Sequence, residues 1–261
     1  MAQTVTIVFV VALILAFMLE YWLDQRQIKH VSSKRSKVPD EFADRVSLDE
    51  HQKAADYTIA RTRFGTVGKI AGALFLLVWT LGGGLDLLDQ FWRGQEINII
   101  WTGVLVMLSV MVISELIELP LSAYRTFYIE QRFGFNKSTV GLFLSDTAKQ
   151  ILLTLIIGVP LLWVILWLMQ TMGEMWWLYV WAVWMGFSLL MMWAYPAFIA
   201  PLFNKFSPLE NAELRDRIEN LLKRCGFTSN GIFIMDGSRR SSHGNAYFTG
   251  LGKNKRIVFF D

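Results

Sequence analysis

The sequence predicts a mainly α protein: a polytopic transmembrane helical bundle followed by the start of a small α+β domain. Three observations predict it. Hydrophobic residues make up 54% of the 261 and charged residues only 18%, against the roughly 25% charged of soluble domains. The apolar residues gather into five stretches near the roughly 20-residue length that spans a hydrocarbon core. Lys and Arg alternate strictly between the segments that join those stretches.

The first span runs from Thr4 to Leu23. It has no basic leader and no small-residue cleavage site, so it does not read as a signal peptide. Glu20 and Asp24 close it at the interface. The second span runs from Val67 to Leu88, with Gly82, Gly83 and Gly84 near its end, and Lys69 is placed to snorkel to one face. The third runs from Ile97 to Leu119, the fourth from Ile151 to Met169 across Pro160, and the fifth from Met175 to Ile199. These five define an amino-terminal membrane domain over residues 1–206. Eleven Trp, several clustered between Trp163 and Trp184, suit the headgroup level of a bilayer.

Nine basic residues lie between spans one and two, only Arg93 between two and three, four between three and four, none between four and five, and ten after span five. Positive-inside logic places the amino terminus outside and the tail in the cytoplasm, with a bacterial inner membrane as the expected home. The formal charge of +3 is too small to imply nucleic acid. A single cysteine, Cys225, allows neither an intrachain disulfide nor a Cys-rich zinc site.

Ser47-Leu48-Asp49-Glu50 matches a capping box and starts a helix in the first polar loop. Ser207-Pro208-Leu209-Glu210 matches a second, with Pro at the first helical position, so a helix is expected from there to Gly226. Residues 207–261 read as the start of a soluble domain. Ile232 to Met235, Asn245 to Leu251 and Arg256 to Phe260 look like strands, the last two joined as a hairpin by Gly252-Lys253-Asn254-Lys255. Tyr124 to Thr139 reads as an ordered loop in which Gly134 permits a turn and Asn136 caps the segment after it.

Chemistry is sparse. The three histidines, His30, His51 and His243, never lie four apart, so no HExxH zinc motif is present and no catalytic constellation is complete. Glu115 and Glu118 share one face of span three. They line a polar cavity, or they mark a helix end at the interface before Pro120. An exposed strand within Ser241 to Gly250 could take an extended peptide on its edge, or be an ordinary hairpin.

Three segments resemble the type I CAAX prenyl proteases, integral-membrane zinc metalloproteases. They are Tyr124 to Thr139, with its Tyr-x-x-Phe-x-Ile-Glu-x-x-Phe-Gly-Phe-Asn core; Tyr195 to Leu209 at the end of span five; and Ser241 to Asp261, with Asn245-Ala246-Tyr247-Phe248. Their order and spacing agree along the whole chain. The resemblance implies seven helices around a water-filled chamber, zinc held by HExxH and a downstream Glu, and cleavage of peptide bonds in prenylated or membrane-associated substrates. It makes Asn245, Ala246 and Tyr247 the substrate-strand candidates and Glu115 and Glu118 possible chamber-lining groups. The expected partners are the bilayer and a peptide or protein substrate. The family's HExxH falls just beyond the position of Asp261. This chain is therefore expected to be a fragment without catalytic residues, without its own zinc, and inactive alone. The alternative is a non-catalytic membrane scaffold or a peptide- or lipid-binding module. An HExxH in the coding frame after Asp261 separates the two.

Overall fold

A computed structural model describes residues 2–250 and 255–261. These fall into two compact units, Met1–Ile97 with Leu105–Gly134, and Asn98–Val104 with Phe135–Asp261. Among the described residues five helices are long and apolar enough to cross a membrane. Large apolar side chains on them point outward, as with Val8, Leu15 and Leu19 of the first helix. In a bilayer, lipid rather than water meets such residues, so exposure there carries no hydrophobic penalty.

In the first unit, α1 (Ala2–Lys34) and α2 (Leu48–Thr80) are longer than their apolar cores. The helix α1 thus continues past Glu20 and Asp24. Asp24 lies within α1 and accepts from Lys69 Nζ at 2.9 Å and from Thr66 Oγ1 at 3.0 Å, so Lys69 is paired to a neighbouring helix. Arg35 and Asp56 add a two-pronged pair at 2.7 and 2.8 Å. The capping box at Ser47 forms as expected, with Ser47 Oγ accepting from Glu50 N–H and Glu50 Oε2 accepting from Ser47 N–H.

Span two does not run on to Leu88. The helix stops at Thr80, Gly83 adopts a left-handed φ of 78°, and residues 84–88 belong to a separate amphipathic helix, α3 (Gly84–Arg93). The glycines permit the break because a Cβ at Gly82 would sit 2.8 Å from the Val78 carbonyl oxygen and one at Gly84 would strike the Trp79 ring. The span-three helix, α4 (Ile99–Tyr124), passes straight through Pro120, so Glu118 does not mark a helix end. Membrane helices tolerate such a proline where neighbouring groups satisfy the freed carbonyl.

The segment expected as a loop from Tyr124 is helical for most of its length. A π-helical turn over Arg125–Glu130 continues into the short α5 (Gln131–Phe133), and Gly134 then ends it with φ 81°. Tyr57 of α2 donates to Glu130 Oε1 at 2.8 Å, and its ring meets Phe133 edge-on at 5.3 Å.

In the second unit, Thr139 rather than Asn136 caps α6 (Val140–Thr171), accepting from Leu142 N–H; Asn136 instead accepts from Ser138 N–H. Then come α7 (Trp176–Ala194), a π-helical turn over Tyr195–Ile199, and α8 (Ala200–Phe203). The second capping box does not form. Phe206–Pro208 is a strand, β1, and the next helix, α9 (Ala212–Arg224), starts at an N-cap supplied by Asn211, whose Oδ1 accepts from Leu214 N–H at 2.9 Å. Pro208 fits because β1 lies at a sheet edge, where a missing N–H costs nothing.

The sheet order is β1, β2 (Ile232–Met235), β4 (Arg256–Phe260), β3 (Ala246–Thr249). β2 and β4 are parallel and the outer pairs antiparallel. Ile232, Met235 and Val258 form its buried centre. β3 and β4 pair as the expected hairpin; of the expected connection, residues 252–254 lie outside the described residues.

Candidate functional site

β3 is an edge strand, and its register decides which of its backbone groups are available. Phe260 N–H donates to the Asn245 carbonyl at 2.9 Å. In an antiparallel ladder hydrogen-bonded residues alternate, so Tyr247 and Thr249 also turn their backbone groups toward β4. Ala246 and Phe248 turn theirs to the open edge. Asn245 Oδ1 accepts the Ala246 N–H at 2.8 Å, so the neighbouring side chain covers the first outward-facing donor. Asn245 and Ala246 are exposed, and Phe248 is 73% exposed.

Tyr247 occupies a different place from these two. Its ring packs edge-on against Phe260 at 6.2 Å, and its hydroxyl reaches Met235 Sδ at 3.9 Å. Burial pushes its phenol above the ordinary range, and the Tyr195 phenol adds to the shift. Its side chain anchors the strand to the sheet face.

The approach to the strand, residues 240–243, is held by contacts with the first two signature segments. Ser242 N–H donates to the Phe135 carbonyl at 3.0 Å and Lys137 N–H to the Arg240 carbonyl at 3.1 Å, so residues 135–137 lie alongside residues 240–242. His243 stacks on the Phe135 ring at 4.1 Å. Arg240 pairs with Asp146 of α6 and donates to Asn204 Oδ1 at 2.8 Å and to the Phe203 carbonyl at 2.6 Å. Lys205 N–H donates to Asp236 Oδ1. Asn204 lies in the second signature segment, whereas Arg240 and Asp146 carry no sequence signal beyond charge. Asp261 carboxylate accepts from the Ser238 N–H and hydroxyl, both at 2.8 Å, which hold it below the usual carboxylate range.

The two intramembrane carboxylates separate. Glu118 is exposed and lines a groove in the first unit between α2 and α4; Glu115 is half-buried and is not among that groove's walls.

Zinc chemistry finds no donor set here. Among the described residues no three His, Cys, Asp or Glu side chains come together. His51 contacts the Lys34 carbonyl at 2.9 Å and His243 lies against Phe135. The described residues of this chain do not fit a zinc ion.

The profile described as CAAX prenyl protease N-terminal, five membrane helices, matches residues 27–205, and that of peptidase family M48 matches residues 208–261. The chain is 36% identical over 259 residues to a CAAX prenyl protease 1 homolog of Arabidopsis thaliana, covering 95% of this chain and 60% of the relative. It is 34% identical over 255 residues to the CAAX prenyl protease 1 homolog of Homo sapiens, covering 94% and 53%. The crystal structure of S. mikatae Ste24p superposes with a TM-score of 0.83 at 34% identity, covering 95% of this chain and 59% of that one. The chain thus spans between half and two thirds of the length of these relatives. With five membrane-length helices and a four-stranded sheet among the described residues, and a profile match over residues 27–205, the chain belongs to the CAAX prenyl protease family.

Proposed function

We propose that this chain supplies the membrane body and the substrate strand of a zinc-dependent metalloendopeptidase that cleaves prenylated or membrane-associated polypeptides. The edge position of β3 carries this reading, together with membership of the family. An extended peptide adds to the open edge as a further strand, its backbone pairing with the outward groups of Ala246 and Phe248. A peptide carbonyl takes the Ala246 N–H in place of Asn245 Oδ1, which frees the Asn245 amide to meet the same peptide. Tyr247 positions the strand from behind. Glu118, and Glu115 one turn away, belong to the polar lining of the membrane body.

On this reading residues 1–206 form the membrane domain and 207–261 belong to the soluble part. The amino terminus lies outside and the sheet in the cytoplasm, which the alternation of Lys and Arg supports. Zinc in the whole enzyme is held by groups other than the described residues. The step that belongs to this chain is substrate alignment: the strand fixes the direction and register of the peptide.

The test uses the protein as encoded, purified in detergent, with a prenylated peptide and the same peptide N-methylated at single positions. Pairing with an edge strand makes binding and cleavage fall at alternate positions only. Uniform tolerance of N-methylation removes the strand from the site. Peptide binding without cleavage or zinc uptake supports a non-catalytic peptide-binding module instead.

A further inference from the structure

The groove that holds Glu118 has a volume of about 480 Å³, within the range of small-molecule sites. Its α2 wall carries Arg61, Gly65, Gly68 and Gly72 at steps of four, three and four, a single helical stripe. Its other wall carries Ser114, Glu118, Ser122 and Arg125 at the same kind of spacing. Glycines in a membrane helix ordinarily let a second helix approach closely. Here a Cβ added at Gly65, Gly68 or Gly72 would meet nothing within 4 Å. Glycine inside a helix costs roughly 1 kcal/mol against alanine, and among the described residues no helix uses the room these three leave. They form a smooth trough, with Phe64 and Phe75 beside it.

The two stripes run in opposite chain directions, so Arg61 and Arg125 meet at one mouth. Arg125 has only a long 3.9 Å approach to Glu130, and Arg61 enters no ion pair among the described residues. From Arg61 to Gly72 the helix rises about 16 Å, and half of a hydrocarbon core is about 15 Å. The trough is therefore one leaflet deep, with cationic groups at the headgroup end and, beneath them, the glycines, Phe64 and Phe75 facing Ser114, Glu118 and Ser122.

We propose that this groove binds one anionic phospholipid of the surrounding bilayer, its phosphate held by Arg61 and Arg125 and one acyl chain laid along Gly65, Gly68 and Gly72. The proposal does not depend on the peptidase reading. The length match and the charge at the mouth select a lipid over a peptide. Replacing Glu118 on the facing wall tells the two occupants apart, since a basic peptide would lose a carboxylate partner and an acyl chain would lose nothing.

The full chain in detergent is titrated with phosphatidylglycerol and with phosphatidylcholine of the same acyl chains, and bound lipid is counted by native mass spectrometry. Wild type holds one phosphatidylglycerol in preference to phosphatidylcholine. Arg61→Gln and Arg125→Gln each lower that preference about fivefold, and together roughly thirtyfold. Gly68→Leu fills the trough in open space, keeps its melting temperature, and loses about tenfold or more in affinity for both lipids. Glu118→Leu binds phosphatidylglycerol at least as well as wild type. Wild-type lipid binding in folded Gly68→Leu, an undiminished anionic preference in the double arginine variant, or loss of binding in Glu118→Leu each overturns the proposal.

Discussion

Arg240 grips Asp146 with both arms of its guanidinium, Nε to Oδ2 at 2.7 Å and Nη2 to Oδ1 at 3.0 Å, although 94 residues separate them in the chain. The same side chain satisfies Asn204 and the Phe203 carbonyl. It thereby ties α6, the end of α8 and the approach to β3 at one point. Both partners are mostly shielded, with side chains 24% and 22% exposed.

Replacing Arg240 should consequently cost more than an ordinary surface pair. Arg240→Ala leaves Asp146 and a carbonyl without their donors, and the expected loss is about 2–3 kcal/mol, the scale of hydrogen bonds to charged groups. Arg240→Lys should recover little of it, because an ammonium cannot make the planar two-pronged contact. Thermal unfolding in detergent measures both. Equal melting of Arg240→Lys and wild type would show that the fork geometry is unimportant.

Gly103 offers the opposite case to Gly68. A Cβ at Gly103 would lie 2.8 Å from Leu166 Cδ1, so α4 and α6 meet there at close range. Gly103→Ala needs only a shift of the flexible Leu166 tip. Gly103→Ile overpacks the contact, and a loss of roughly 1–3 kcal/mol is expected. Melting temperatures of these two variants beside Gly68→Leu should rank Gly103→Ile lowest.

The capping box at Ser47 makes a local prediction. Ser47→Ala removes the acceptor for the Glu50 N–H, at 3.2 Å, and should cost about 1 kcal/mol. Hydrogen exchange should quicken over the first turn of α2 and leave residues deeper in the span unchanged. Protection that stays intact at residues 48–51 would argue against the cap.

Asp261 gives a pH dependence with a definite sign. The Ser238 N–H and hydroxyl hold its carboxyl below the ordinary value of 3.8. A depressed folded value stabilises the fold above the unfolded value, and the contribution disappears as pH falls through the folded one. Ser238→Ala removes the hydroxyl donor, so the carboxyl should titrate at higher pH in this variant. Carbon-13 NMR of the carboxyl group reads the shift directly; an unmoved titration would mean the hydroxyl contributes nothing.

Membrane character was legible because lipid solvation acts on each helix separately: twenty apolar residues are apolar whatever their neighbours. The box at Ser47 was legible for the same reason, as a four-residue interaction. The identical pattern at Ser207 failed because β2 competes for that backbone. Phe206 to Pro208 pair with Phe233 to Met235, and Leu209 N–H goes to the Ile232 carbonyl, so the helix waits for Asn211. Tyr124 to Thr139 held enough Gly and Asn to suggest a loop. Packing of Ile129 and Phe133, with Tyr57 on Glu130, keeps most of it helical.

By itself, then, the sequence determined what any single segment reveals to its immediate surroundings: five apolar spans, the alternation of basic links, and a strand at Ala246. Tertiary structure decided which backbone groups of that strand face outward, since a ladder's parity exists only once β4 is beside it. It also decided what the glycines do. Gly68 and Gly103 are the same residue in similar apolar helices, yet one opens onto empty space and the other onto Leu166. A residue without a side chain carries no mark of its neighbour, so only the packed chain distinguishes a trough from a contact.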